Sequence, residues 1–282
     1  MRVLRAYTTL VFLFLYAPIA VIVVFSFSAG HSASDFHGFS LQWYATAAGN
    51  RLVKEALVHS LVIAASSSAL ATLLGTAAAL VLPRIRGPFR VVFDALTYIA
   101  IMVPGIVIGI ATLIALVTAF EVLNPMLAAL WPGDPATSPQ LHMGFGSVIL
   151  AHSLFAMALV IMLVRARLLG MDRSLLEASS DLYATPWGTF RQVTLPIALP
   201  GLVTGSILVF IPMMGEYVIP QILGYGRTYL MGNALVTDFL EARNWPSGSA
   251  RAVFLIIIMI VTLAGYVWFV NRGRKTREVS IL

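Results

Sequence analysis

Long apolar runs separated by short polar loops set the pattern of this chain. Six of them reach the roughly 20 residues that cross a bilayer as a helix: 7–28, 56–82, 93–120, 146–164, 197–223 and 252–270. The first is too long for the apolar core of a secretion signal, and no small-residue cleavage site closes it. It reads as a retained helix. No loop is long enough for a separate soluble catalytic domain, and no internal repeat stands out. The expectation is an all-α membrane protein, with one transmembrane domain over 1–282.

The fifth run is the least regular. It holds Pro200, Pro212 and Pro220 with Gly201, Gly205 and Gly215, residues that break or bend a helix. Irregular backbone at membrane depth is tolerated only inside protein or beside a water-filled cavity. Val103-Pro104-Gly105 and Gly109 mark either a bend or close packing in the third run, packing being the favoured reading.

The polar segment Met171 to Pro196 has helical grammar. Ser174 with Glu177 three residues on fits a capping box. Leu175, Ala178, Ser179 and Leu182 share one face, and Glu177 and Asp181 the other. Thr185 before Pro186 reads as a second N-cap, opening a helix that passes Phe190 and Val193 and stops near Pro196. Helix, tight turn, helix is the prediction.

Composition agrees with the pattern. The 282 residues are 59% hydrophobic and 11% charged, against roughly 25% charged in soluble domains. Mean hydropathy is +0.91. Cysteine is absent, which excludes disulfides, thiolate nucleophiles and Cys-ligated metals. The net charge of +6 has a topological explanation. With the N-terminus inside, 13 of the 18 Lys and Arg residues fall on the cytoplasmic side, as spanning proteins require. They lie at both termini, at Arg84, Arg86 and Arg90, and at Arg165, Arg167, Arg173 and Arg191. Only Arg51, Lys54, Arg227, Arg243 and Arg251 fall outside. Both termini and the 171–196 segment are thus expected in the cytoplasm, and nucleic acid is not an expected partner.

Little in the chain suggests catalysis. Glu216 is the one acid well inside an apolar run, about 30 Å along a helix from Pro196. An acid at such depth is a candidate functional group, and a hydrated interfacial carboxylate is an equal reading. Tyr217 is either an interfacial belt residue or a cavity wall. Asp94 can pair with Arg90 one turn away. His142 and His152 lack the company a metal site needs, and satisfied polar contacts are expected. Ser66, Ser67 and Ser68 suit helix contacts. Outer-loop acids Asp238 and Glu241 read as solvated. No paired intramembrane acids, His cluster or serine–base pair supports an intramembrane enzyme, and an ion-coupled transporter would have Glu216 alone. No catalytic residue and no metal ligand is assigned.

Glu177-Ala178-Ser179, then Asp181-Leu182-Tyr183-Ala184, Phe190 and Thr194-Leu195-Pro196 together resemble the EAA loop of permease subunits of binding-protein-dependent ABC importers. The loop also stands between the fourth and fifth of six runs, where that family has it, and the resemblance covers nearly the whole chain. It implies a type I importer permease (MetI-like) in the bacterial inner membrane. The loop would be a coupling helix seated on a cytoplasmic ATPase dimer, with Glu177 facing the ATPase and Ala178 packed against it. ATP and Mg would be held by that partner, since no GxxxxGK[ST] loop occurs here. A periplasmic or extracellular solute-binding protein and a second, related permease would complete the system. The family usually has glycine at Tyr183. Either Tyr183 stays helical and the turn moves to Ala184 and Thr185, or the docking surface differs. GEYVIPQILG (215–224), NALVTDFLEARNWPSGSA (233–250) and FSLQWY (39–44) resemble the spermidine and putrescine branch. The relatives that import ferric ion or phosphonates share much of this wording. For a polyamine, Glu216, Asp238 and Glu241 with nearby aromatic faces would suit the cargo.

Overall fold

The structure is a computed structural model that describes residues 2–32, 36–134, 137–172, 174–224, 226 and 228–279. Arg173 and Arg227 of the charge pattern lie outside the described residues. In chain order the helices are α1 (Arg2–Phe25), α2 (Gln42–Gly49), α3 (Arg51–Val81), α4 (Pro88–Met102), α5 (Gly105–Leu130) and α6 (Phe145–Leu169). They continue as α7 (Ser174–Asp181), α8 (Pro186–Thr189), α9 (Leu195–Met214), α10 (Val218–Leu223), α11 (Met231–Val236) and α12 (Trp245–Val279). Among the described residues, six stretches are long and apolar enough to cross a membrane: Leu4–Phe25, Arg51–Val81, Gly105–Leu130, Phe145–Leu169, Pro186–Met214 and Trp245–Trp268. The protein is all-α, with an isolated antiparallel bridge between Ser28 and Phe39.

The third apolar run is two helices, not one. Val103 and Pro104 adopt extended backbone (ψ 129° and 138°) between α4 and α5. Pro104 accounts for this, because its ring disfavours helical backbone at Val103. A Cβ at Gly105 would meet open space, whereas one at Gly109 would reach Ile222 at 3.3 Å. Pro104-Gly105 is therefore a break, and close packing begins at Gly109. In the fifth run, Pro200 and Pro212 sit inside α9, and the interruption falls after it, at Gly215 to Tyr217.

The chain divides into two compact units, 1–60 with 229–282, and 61–228. In the first, α1 and α2 pack on α12. The chain leaving α1 folds back: Ser26 Oγ and the Tyr44 hydroxyl are 2.6 Å apart, and Trp43 Nε1 donates to the Ser28 carbonyl at 3.1 Å. Asp238 is buried, accepting from Ser247 Oγ at 2.9 Å with Arg251 Nε at 3.1 Å. It is not the solvated loop acid expected, because a turn of π-helix at Thr237–Glu241 turns it onto α12. Glu241 is exposed.

In the second unit α6 is central, packing against α4, α5, α9 and α10. Small residues let helices approach where lipid supplies no hydrophobic drive. A Cβ on Gly75 of α3 would lie 2.9 Å from Val160 Cβ, and one on Gly201 of α9 would lie 2.8 Å from Arg167 Cγ. Ser153 Oγ donates to the Ser67 carbonyl at 3.3 Å, a contact to α3 made through backbone and not through the serine run's hydroxyls. Asp94 is paired with Arg165 of α6, with Arg90 more distant at 3.9 Å. The i,i+4 spacing pointed to Arg90; the tertiary partner was invisible to it.

Candidate functional site

Two regions carry the candidate residues: the polar loop of α7 and α8, and the break between α9 and α10.

The loop forms as helix, turn, helix, with three departures from the sequence reading. Its first cap is Asp172, whose Oδ1 accepts the Ser174 amide at 3.0 Å; Ser174 is itself helical. That bond, together with the Ser174 side chain, holds the Asp172 carboxyl below the usual aspartate range. Second, the turn is made by Tyr183 itself, at φ 55°. The Tyr183 amide bonds the Ser180 carbonyl at 2.9 Å and the Ala184 amide bonds the Ser179 carbonyl at 3.1 Å. This is a Schellman closure, with tyrosine in the left-handed position. The tyrosine neither stays helical nor passes the turn on. Third, the second helix does not stop at Pro196. Thr185 caps it as expected, accepting the Gly188 amide at 3.1 Å. α8 then runs through a turn of π-helix (Phe190–Thr194) directly into α9. Proline has no amide proton and crowds the carbonyl four residues back. The wider turn before Pro196 accommodates that without ending the helix.

Of the face shared by Leu175, Ala178, Ser179 and Leu182, only Ser179 is buried, and its Oγ lies 2.7 Å from Thr189 Oγ1. That bond ties α7 to α8. Leu175, Ala178 and Leu182 are exposed, as are Glu177, Asp181 and Ala184. Tyr183 is 95% exposed and Trp187 68%. The loop therefore presents acids and large apolar side chains together on a surface that its own chain does not cover.

At the second region, α9 ends at Gly215 and the backbone re-enters a helix at Val218. Glu216 Oε1 accepts the amides of Val218 at 3.0 Å and Ile219 at 3.4 Å. The carboxylate is thus the cap of α10, a role that the sequence reading did not assign. Its other oxygen, Oε2, lies 3.6 Å from His152 Nε2 on α6. His152 is 1% exposed, and neither of its ring nitrogens has a hydrogen-bond partner. The expectation of satisfied contacts fails for this histidine. Its signal was a lone ionisable side chain in an apolar run whose only acidic counterpart was 64 residues away. Glu216 and Tyr217 are both half-buried.

A further feature was not foreseen. An open cavity of ≈ 560 Å³ lies between α5 and the segment before α6, lined by Phe120, Glu121, Asn124, Leu141 and His142 among others. Asn124 closes one side, donating from Nδ2 to the Leu141 carbonyl at 3.2 Å and accepting the Leu141 amide at 2.8 Å. Among the described residues no three His, Cys, Asp or Glu side chains group as metal ligands do.

Comparison with known proteins places this architecture. Residues 71–275 match the family described as binding-protein-dependent transport system inner membrane component. The spermidine/putrescine transport system permease protein PotC of Escherichia coli K12 is 28% identical over 261 residues, covering 92% of this chain and 91% of the relative. The putrescine transport system permease protein PotI of the same organism is 30% identical over 271 residues, covering 94% and 90%. Among solved structures, a bacterial ABC transporter that imports the acidic polysaccharide alginate superposes with a TM-score of 0.73 at 15% identity, over 96% of this chain and 94% of that one. The inward-facing MetNI methionine ABC transporter superposes with a TM-score of 0.56 at 17% identity, over 80% and 95%. These distant structures share the fold. The matched family, the six spanning helices and the loop between the fourth and fifth agree: the chain belongs to the binding-protein-dependent transport family, as the multi-pass inner-membrane permease subunit, not an enzyme, of an ABC importer.

Proposed function

We propose that the chain, as one permease domain over 1–282, imports polyamines of the spermidine and putrescine class. Its complex would contain a second, related permease, a cytoplasmic ATPase dimer that binds ATP and Mg, and a solute-binding protein outside the membrane. The observation that carries the coupling part is the uncovered face of the loop, where Glu177, Ala178, Leu182 and Tyr183 are all exposed. A carboxylate there pairs with a basic group on a partner, and the small Ala178 admits close approach. The Ser179–Thr189 bond and the unbroken run from α8 into α9 support a direct route from docking surface to spanning helix. A push on the loop is then a push on α9. ATP binding changes the cavity's access only as far as the partner's states distinguish positions of this loop.

The cargo part is supported by the two polyamine permeases that align along more than nine-tenths of this chain, and by Glu216 at the α9–α10 break. A carboxylate half-open beside Tyr217 suits a flexible polycation.

Glu177→Lys tests the coupling part. Recovery of the ATPase on the tagged permease falls at least tenfold while membrane insertion of the variant is unchanged. Equal recovery of the ATPase rejects the docking role.

A further inference from the structure

We propose that His152 and Glu216 together form an ammonium-binding site, with the imidazole as the second acceptor beside the carboxylate. The proposal rests on the polyamine reading above and adds a residue and a chemistry to it.

The geometry is specific. Glu216 uses one oxygen to cap α10 and leaves Oε2 without a hydrogen-bond partner, and both nitrogens of the enclosed His152 are equally unpaired. At 3.6 Å the two groups are too far apart to satisfy one another by a hydrogen bond. Buried polar atoms left in this state carry a cost, and such exceptions call for a reason. A primary ammonium has three donors and can give one to Oε2 and one to the imidazole. Oε2 and both ring nitrogens are themselves enclosed, and the Glu216 side chain is 24% exposed against 2% for His152, so an ammonium reaches the pair by displacing part of the Glu216 side chain.

The charged surroundings leave this pair isolated. Residues 61–81 of α3, and all of α9 and α10, contain no Asp, Glu, Lys or Arg. On α4, Asp94 is engaged by Arg90 and by Arg165 of α6. Arg167 of α6 lies against Gly201, fifteen residues and about 22 Å of helix from His152. Glu121 of α5 lines the separate cavity. Among the described residues, Glu216 is therefore the only charged group that the structure sets against His152.

The test uses the reconstituted complex, with kcat and KM of spermidine uptake measured. His152→Ala raises KM by about 3- to 10-fold with kcat held within about twofold. His152→Gln keeps an acceptor, so KM stays near the wild-type value. Glu216→Gln raises KM by at least about tenfold. An unchanged KM in His152→Ala, or a fall in kcat alone, makes His152 a packing residue and overturns the site. If the wild-type complex hydrolyses ATP but carries no spermidine, the polyamine reading fails, and the ammonium site with it. Uptake that His152→Ala leaves untouched removes the site and spares the reading.

Discussion

Tyr183 holds a left-handed backbone, φ 55°, in a position that glycine takes at little cost and that penalises a Cβ by roughly 1 kcal/mol. Its ring is 95% exposed, so nothing in the chain itself offsets that cost. The Schellman bonds to Ser179 and Ser180 hold the turn whichever residue occupies it. Tyr183→Gly should therefore leave the isolated permease as stable or raise its stability by about 1 kcal/mol, read as an equal or higher Tm in detergent. A fall in Tm would mean that the ring is packed. The presence of a turn near 183 was legible from the residues around it. The site of the strain was not, because propensity argues against tyrosine there, while the two backbone bonds that enforce the conformation belong to the folded loop.

At the scale of the element, the loop shows which local rules survive. The Thr185-Pro186 start signal worked, because a hydroxyl cap and a proline at the first helical position both act through neighbouring backbone. The Ser174–Glu177 capping box lost to Asp172, an equally good cap two residues earlier whose carboxylate also favours the helix N-terminus. The Asp172 pKa is lowered in the folded loop. Its contribution to α7 is therefore present above the ordinary aspartate value and is lost as pH falls through the lowered one. The amides of the first turn of α7 should exchange faster as pH drops below about 4, after correction for intrinsic exchange. Asp172→Asn should flatten that dependence. The predicted stop at Pro196 failed because a π-turn absorbs the proline, an option that a helix-breaking rule omits. The reverse happened at Val103-Pro104, where a favoured packing reading turned out to be a break.

At the scale of the molecule, α6 organises the 61–228 unit, and its ionic tie is Asp94 with Arg165. Both side chains are about one-quarter exposed, so the pair is neither dry nor fully screened. Asp94→Arg and Arg165→Asp should each lower the Tm of the purified protein. The double swap should recover part of the loss, with a coupling energy of about 1 kcal/mol. Additive losses would show that the two charges act independently. The pairing spans 71 residues, and no periodicity connects positions so far apart.

What the sequence determined by itself is what depends on composition and near neighbours. Bilayer thickness sets a length, so six spans could be counted. The family followed from a loop whose residues stand at characteristic spacings. Tertiary structure decided what depends on distant partners: the break in the third run, the burial of Asp238 against Arg251, and the meeting of His152 with Glu216. Those outcomes turn on which helices approach one another. That approach is decided by small residues such as Gly75 and Gly201, whose neighbours exist only once the helices have packed.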